Sequence, residues 1–405
     1  MKAPEHAPPP FAWLQITALC AFLALLYVYV PSTPPHLSSL SAGSPSRGGA
    51  AAAASSCRWQ PLTAPELELC APAHMRPGAN TFVYHQDPDF IALCHGPGDY
   101  ISSGCRNDKP LFEWSTSRWM GEVLAAAREA ARPGGDACDG PGVVWYLDVG
   151  ANLGLHALHQ AALGVPTLAL EMMLGTAARL ACAKLANRFE HLVVRRVGVG
   201  ASRTHACASN PTEGNVGGTQ LHVPAAAECV GAATSVDVLP LDDILDEFNA
   251  ALGRAPPRLL PPPALLKIDC EGCEWGVVSG LARHLAAGWR PGVIVLETFN
   301  KLLLPTAGER ADDPLDGARG VKVSSAAMLL RFIPLGYRVW TGDMRAELTD
   351  RLRDALGAGE AERDRLGQEL DAASVARECP LFVLALPEVP RPPTPENGCK
   401  EFRRR

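Results

Sequence analysis

Val143-Val-Trp-Tyr-Leu-Asp148-Val-Gly150-Ala-Asn152-Leu-Gly154 is the stretch on which the fold turns. Its first half is an apolar, β-favouring run that ends in Asp148. Gly150 and Gly154 then bracket a turn, and Leu155–Leu163 has the spacing of a helix. A buried strand that feeds a glycine-bearing turn and a helix is the unit with which an open α/β sheet presents a ligand at the carboxyl edge of its strands.

The pattern repeats downstream. Val143–Val149, Val165–Glu171, Leu192–Val199, Ala264–Asp269, Val293–Thr298, Tyr337–Trp340 and Leu381–Leu386 read as strands. Helical spacing falls between most of them, at Leu155–Leu163, Thr176–Asn187, Leu241–Leu252, Gly276–Ala287 and Ser324–Leu335. Such alternation predicts a mostly parallel sheet with helices on both faces. A charged insertion, Arg345–Ala373, precedes the last strand, and its interleaved acids and bases predict a solvated pair of surface helices.

A turn that grips a dinucleotide pyrophosphate needs a middle glycine, because the backbone must touch phosphate. Asn152 fills that position here, and its side chain would crowd a pyrophosphate. The turn suits a nucleoside ligand without phosphate, such as S-adenosylmethionine. Asp148, Gly150, Asn152 and Gly154 are therefore candidate cofactor contacts. Glu171, at the end of the second strand, sits where its two oxygens can accept both hydroxyls of a ribose. A strand-end carboxylate that is only solvated is the plainer alternative.

Leu265-Leu-Lys267-Ile-Asp269-Cys-Glu271-Gly272-Cys273-Glu274 brings three carboxylates to the same edge of the sheet. Like charges that close raise one another's pKa, which prepares Asp269 or Glu271 to take a proton from an acceptor hydroxyl or to hold a divalent cation. Glu297, ending the next strand, is a third candidate base. Glu274 reads as a helix N-terminal acid stabilised by the dipole. His156 and His159 follow the glycine turn, where a packed or capping histidine is the commoner outcome and an approach of His156 to the site the sharper one. Cys270-X-X-Cys273 could be a redox pair or half a zinc site. No second pair and no thioredoxin-like pattern accompany it, so structural cysteines, free or bridged, are expected.

With these motifs the chain resembles the FkbM family of S-adenosylmethionine-dependent methyltransferases. The resemblance rests on Asp148–Gly154, Leu168-Ala-Leu-Glu171, Asn215-Val-Gly-Gly218, Val236–Asp243, Leu266–Gly272 and Val293–Glu297, and extends to about Trp340. It implies a class I methyltransferase fold, Rossmann-like, with a seven-stranded mostly parallel sheet whose last strand is antiparallel. It implies S-adenosyl-L-methionine as cofactor and methyl transfer to oxygen, commonly on sugars or polyketide-like hydroxyls. It also implies that the loop carrying Asn215, Gly217 and Gly218 faces the active site. Cys270 and Cys273 depart from small or aliphatic family positions, and Met172 stands where the family usually has proline. None of these removes a carboxylate that the chemistry needs.

The chain has 405 residues, 47% of them hydrophobic, and a net charge of −6. That suffices for one large or two ordinary domains and lacks the long basic block that would hold nucleic acid. Phe11–Val30 carries no charge and, at about 1.5 Å per residue, spans a bilayer core of about 30 Å. It is longer than a signal-peptide core and lacks a matching cleavage site, which predicts an uncleaved transmembrane anchor. Lys2 before the span and Arg47 as the first charge after it put residues 1–10 in the cytosol and the rest in the Golgi or secretory lumen. Residues 31–56 read as a disordered stem and 388–405 as a disordered basic tail.

Residues 57–139 form a cysteine-containing extension, with a helix at Ser117–Arg132, ahead of the domain at 140–387. The extension would cap the cofactor site or shape the acceptor cleft, or would pack as a disulfide-held addition on the sheet edge. Thirteen cysteines include Cys20 in the span and Cys57, Cys70, Cys94, Cys105 and Cys138 before the first sheet strand. Disulfides there are expected, with a connectivity that sequence does not give. The expected partners are a small-molecule or glycan acceptor and the membrane. Two rival functions remain: a catalytically silent anchored scaffold that keeps the fold, and an NAD-dependent oxidoreductase. The missing middle glycine and the lack of a Tyr-X-X-X-Lys set count against the second.

Overall fold

The computed structural model describes residues 69–70, 81–86, 89–95, 99, 101–102, 113–131, 143–209, 219–222, 229, 234–254, 259–298, 325–377 and 381–392. The chain divides into two compact units, 1–52 and 53–405, and every described residue belongs to the second. The expected anchor Phe11–Val30, the stem, most of the basic tail, Cys57, Cys105, Cys138, and the loop of Asn215, Gly217 and Gly218 lie outside the described residues. Among the described residues no helix is long and apolar enough to cross a membrane.

Strands β1 (Thr81–Gln86) and β2 (Asp89–Cys94) pair as an antiparallel hairpin ahead of helix α1 (Trp114–Ala130). The sheet begins with β3 (Tyr146–Val149), α2 (Leu155–Ala162), β4 (Thr167–Glu171), α3 (Leu174–Asn187) and β5 (Leu192–Arg196). Next come β6 (Gly198–Val199), β7 (Thr204–Ser209), β8 (Gln220–His222), β9 (Thr234–Leu239) and α4 (Leu241–Ala251). The rest is β10 (Leu265–Ile268), α5 (Glu274–Ser279), α6 (Ala282–Ala286), β11 (Val293–Glu297), α7 (Ser325–Leu330), β12 (Arg338–Thr341), α8 (Thr349–Gly357), α9 (Glu360–Arg377) and β13 (Leu381–Ala385).

All seven expected strands join one seven-stranded sheet in the order β12-β13-β11-β10-β3-β4-β5. Strands β11, β10, β3, β4 and β5 run parallel, and the last strand, β13, is antiparallel to both its neighbours. Every residue of β3, β4, β10, β11 and β13 is buried. Helices cover both faces, so these strands are mostly apolar, and the charged residues they carry, Asp148, Glu171, Lys267 and Glu297, are buried with them. The order reverses between β3 and β10, and a ligand crevice opens at such a switch point, beyond the carboxyl ends of the strands.

Three expectations change. The run Leu192–Val199 is not one strand: the chain leaves the large sheet after Arg196, and Gly198–Val199 pairs with β9 in a separate four-stranded sheet, β6-β9-β7-β8. Gly276–Ala287 divides into α5 and α6 around Gly280, where a Cβ would lie 2.2 Å from the Gly200 carbonyl oxygen. The charged insertion is a helix pair, α8 and α9, but it is not only a solvated one. Leu352, Ala355, Leu366 and Leu370 are buried in the main core.

The extension is fastened to the sheet's helices. A Cys70–Cys182 disulfide joins it to α3. The Asn187 amide pairs with the backbone of Ile91 in both directions, each bond 2.6 Å. Helix α1 lies on α2, where Gln160 Nε2 donates to the Ser117 carbonyl at 2.8 Å.

Candidate active site

The turn after β3 is built from three left-handed residues, Gly150 (φ 78°), Asn152 (φ 53°) and Gly154 (φ 76°). A Cβ at Gly150 would fall 1.9 Å from the Asp269 carbonyl oxygen, so only glycine lets this turn sit against the loop after β10. At Gly154 a Cβ would strike the Leu180 side chain at 2.1 Å, which makes that glycine a packing contact with α3. The Asn152 amide N–H donates to Glu171 Oε2 at 2.8 Å, and Asn152 Oδ1 accepts the Leu153 N–H at 2.8 Å. Glu171 Oε1 accepts the Met173 N–H at 2.7 Å. Each carboxylate oxygen keeps a second lone pair for a ligand hydroxyl. Burial pushes the Glu171 carboxyl above its usual range, against the two amide hydrogen bonds and Lys267.

Lys267 is the centre of charge beneath the turn. Its ammonium lies 3.3 Å from Asp148 Oδ1, 3.3 Å from Asp269 Oδ2 and 3.3 Å from the Gly150 carbonyl oxygen. Burial alone would push this amine down. The carboxylates of Asp148, Asp269, Glu113 and Glu297 overcome that and hold it well above its ordinary value, so it stays protonated. Asp148 is fully buried and does not line the cleft. Its Oδ1 is paired with the Lys267 ammonium beneath the turn.

A cleft of about 910 Å3, counted with the solvent at its mouth, opens over this platform. Of the eight residues singled out from sequence, Gly150, Asn152, Glu171, Asp269, Glu271 and Glu297 line it, while Asp148 and Gly154 stand behind the wall. His156 lines it as well, with Nε2 3.2 Å from Glu113 Oε2 and Nδ1 2.8 Å from Ser117 Oγ. His159 is a packed histidine, edge-on to Trp114 with ring centroids 4.7 Å apart. Glu274 does not face the cleft. Its carboxylate accepts the N–H groups of Cys270 (3.0 Å) and Gly272 (2.9 Å), and burial pushes it up to about 7 despite those bonds. Cys270 and Cys273 are joined as a disulfide in the wall. Among the described residues no group of three His, Cys, Asp or Glu side chains is placed to hold a metal ion.

Residues 148–302 match the family model of the methyltransferase FkbM domain. Neither the curated proteins nor the solved structures gave a match. The FkbM match covers less than half of the chain, yet it takes in both the glycine turn and the loop after β10. Ile101 and Glu113, which line the same cleft from the extension, lie outside it.

Sequence reasoning missed several residues that line the cleft: Ile101, Glu113, Thr176, Thr219 and Lys267. Lys267 had a signal, since a lone cation inside an apolar strand must be paired when buried. Glu113 had none, because it is brought in by the packing of α1 on α2. Thr219 immediately follows the loop of Asn215, Gly217 and Gly218 and is itself buried in the cleft wall. Met172, the departure from proline, lines the cleft and packs with Met173 against the four-stranded sheet. On that sheet Ser235 Oγ, His205 and Asp237 are hydrogen-bonded in series at 2.5 and 3.1 Å, the connectivity of a hydrolytic triad. The Asp237 side chain is 82% exposed, so solvent screens it and the trio reads as a cross-strand cluster.

Proposed function

We propose that this protein is an S-adenosylmethionine-dependent methyltransferase that methylates a hydroxyl of a sugar, glycan or small molecule. The observation that carries the reading is the cleft at the switch point, where the glycine turn and the acidic loop meet inside the segment that matches the FkbM domain. The residues suit the cofactor. Gly150 lets the turn pack on the Asp269 loop at the cleft wall, Glu171 offers acceptors for ribose hydroxyls, and Glu113, Asp269, Glu271 and Glu297 surround the space with negative charge. That charge favours a sulfonium and opposes a pyrophosphate, which weighs against the NAD alternative.

When bound, S-adenosylmethionine supplies a methyl group on a positively charged sulfur. The chain's own residues do the rest. The cleft holds an acceptor oxygen in line with the methyl, which is where most of the acceleration of a displacement arises. Asp269, Glu271 or Glu297 takes the acceptor proton as the oxygen attacks. Lys267 stays charged and keeps the turn and the Asp269 loop in register.

The anchoring and compartment belong to the same proposal. Phe11–Val30 spans the membrane, residues 57–405 lie in the Golgi or secretory lumen, and a luminal glycan is the favoured acceptor. Protection of the carboxyl-terminal part from protease in sealed membranes is the expected result; cleavage without detergent would reverse the orientation.

The function is tested by incubating the full chain with methyl-labelled S-adenosylmethionine and a panel of monosaccharides, oligosaccharides and small alcohols. Label should pass to a hydroxyl, and one of Asp269→Asn, Glu271→Gln and Glu297→Gln should lower kcat far more than it weakens cofactor binding. Tight cofactor binding with no transfer to any acceptor would instead favour the silent scaffold.

A further inference from the structure

We infer that the Cys270–Cys273 disulfide is a reducible clamp in the wall of the cleft, and that opening it frees the Asp269–Glu274 loop and weakens cofactor binding. The cofactor part rests on the methyl-donor reading above; the clamp itself does not.

Three observations carry it. The bridge joins two ends of one loop, at a sequence separation of 3, whereas Cys70–Cys182 and Cys207–Cys229 span 112 and 22 residues. A bridge within a single loop holds no two elements together, so its effect is on the loop. Second, that loop has a backbone that needs holding. Glu271 (φ 59°) and Gly272 (φ 115°) are successive residues with positive φ, and a non-glycine side chain keeps such a conformation only where its surroundings over-determine it. Besides the bridge, the Glu274 carboxylate restrains it, through the amides of Cys270 and Gly272. Third, the loop is part of the cofactor turn's own support. The Asp269 carbonyl oxygen occupies the space a Gly150 side chain would take, so the loop packs directly on the turn and its displacement removes that support.

Cys270 is half-buried and faces the cleft, while Cys273 is 7% exposed. A dithiol reductant therefore enters through the cleft. One of its thiolates attacks Cys270 Sγ, the Cys270–Cys273 bond breaks, and Cys273 leaves as a thiolate that takes a proton. The second thiol of the reductant then attacks the mixed disulfide, which releases Cys270 as a thiol and the reductant as its own disulfide. Two electrons and two protons pass to the protein. By linkage, a cofactor that binds the clamped form better must also make its reduction less favourable at equilibrium.

The test uses the full chain titrated with dithiothreitol, with thiols assigned by mass spectrometry and amide hydrogen exchange followed over residues 269–279. Cys270→Ser/Cys273→Ser is measured beside it as the permanently open form. The expected result is that Cys270 and Cys273 reduce before the other bridges, that the Cys270 and Gly272 amides then exchange about tenfold faster or more, and that S-adenosylmethionine affinity falls by a similar factor. Unchanged exchange after reduction overturns the clamp, as does reduction of Cys70–Cys182 first. If the double variant does not fold, graded reduction of the unaltered chain decides alone. Faster exchange with no cofactor binding in either form supports the clamp and removes the methyl-donor reading.

Discussion

Replacing Lys267 with methionine tests the charge platform beneath the turn. The side chain is 6% exposed and its ammonium lies 3.3 Å from Asp148, which is fully buried. At that distance and an effective dielectric of about 20, the attraction is about 5 kcal/mol. Part of it offsets the cost of burying both ions, so the pair's net contribution is smaller. The variant, however, leaves the Asp148 carboxylate buried without its cation, and removing one partner of a buried pair costs about 3–5 kcal/mol. Asp269 adds less, since its side chain is 23% exposed and meets solvent. Urea unfolding followed by fluorescence should therefore show Lys267→Met destabilised by about 3–5 kcal/mol. Lys267→Met/Asp148→Asn, which removes both charges, should recover at least half of the loss. A loss below about 1 kcal/mol in the single variant would refute the platform, because it would mean that Asp148 does not depend on Lys267.

Gly150→Ala should cost about 3 kcal/mol or more and abolish cofactor binding, since it combines a left-handed alanine with a clash against the Asp269 backbone; calorimetry and urea unfolding both read it, and a stable variant that binds normally would contradict the close approach. Glu274 carries a folded pKa of about 7 against a usual 4.5. The protonated carboxyl is favoured by the fold, so its stability is fully present below about pH 4.5 and is lost as pH rises through about 7, amounting to about 3 kcal/mol. Glu274→Gln should flatten that part of the pH–stability curve, and an unchanged curve would sink the assignment. Loss of Cys70–Cys182 should cost up to about 5 kcal/mol and loss of Cys270–Cys273 only about 1.5 kcal/mol, by their loop lengths; equal losses in urea would contradict this ordering.

Much of the architecture was legible because the central strands are buried on both faces. Residues 293–296 and Leu381–Ala385 are unbroken apolar runs for that reason. The small sheet was not legible. Thr234–Leu239 opens on partly and fully exposed residues and ends on two buried ones, a weak strand pattern, and β6 is only two residues long, too short a signal to separate from the strand before it. In the site, the left-handed turn was readable from glycine spacing, but the pairing of Asp148 with Lys267 was not. The position of Asp148 before the turn suggests a ligand contact, and its ion-pair partner, Lys267, is fixed by the register in which β10 pairs with β3. Glu113 was invisible for another reason: the packing of two helices brings it to the cleft, and no local pattern encodes that.

The central claim is that the cleft holds S-adenosylmethionine. Calorimetric titration of the full chain with that cofactor, and separately with NAD, tests it most directly, with Glu171→Ala run beside the unaltered protein. The account predicts micromolar binding of S-adenosylmethionine, none of NAD, and at least about tenfold weaker binding in the variant, which loses charged acceptors for the ribose and the anchor of the Asn152 amide. A folded protein that binds neither, or binds NAD instead, would contradict it.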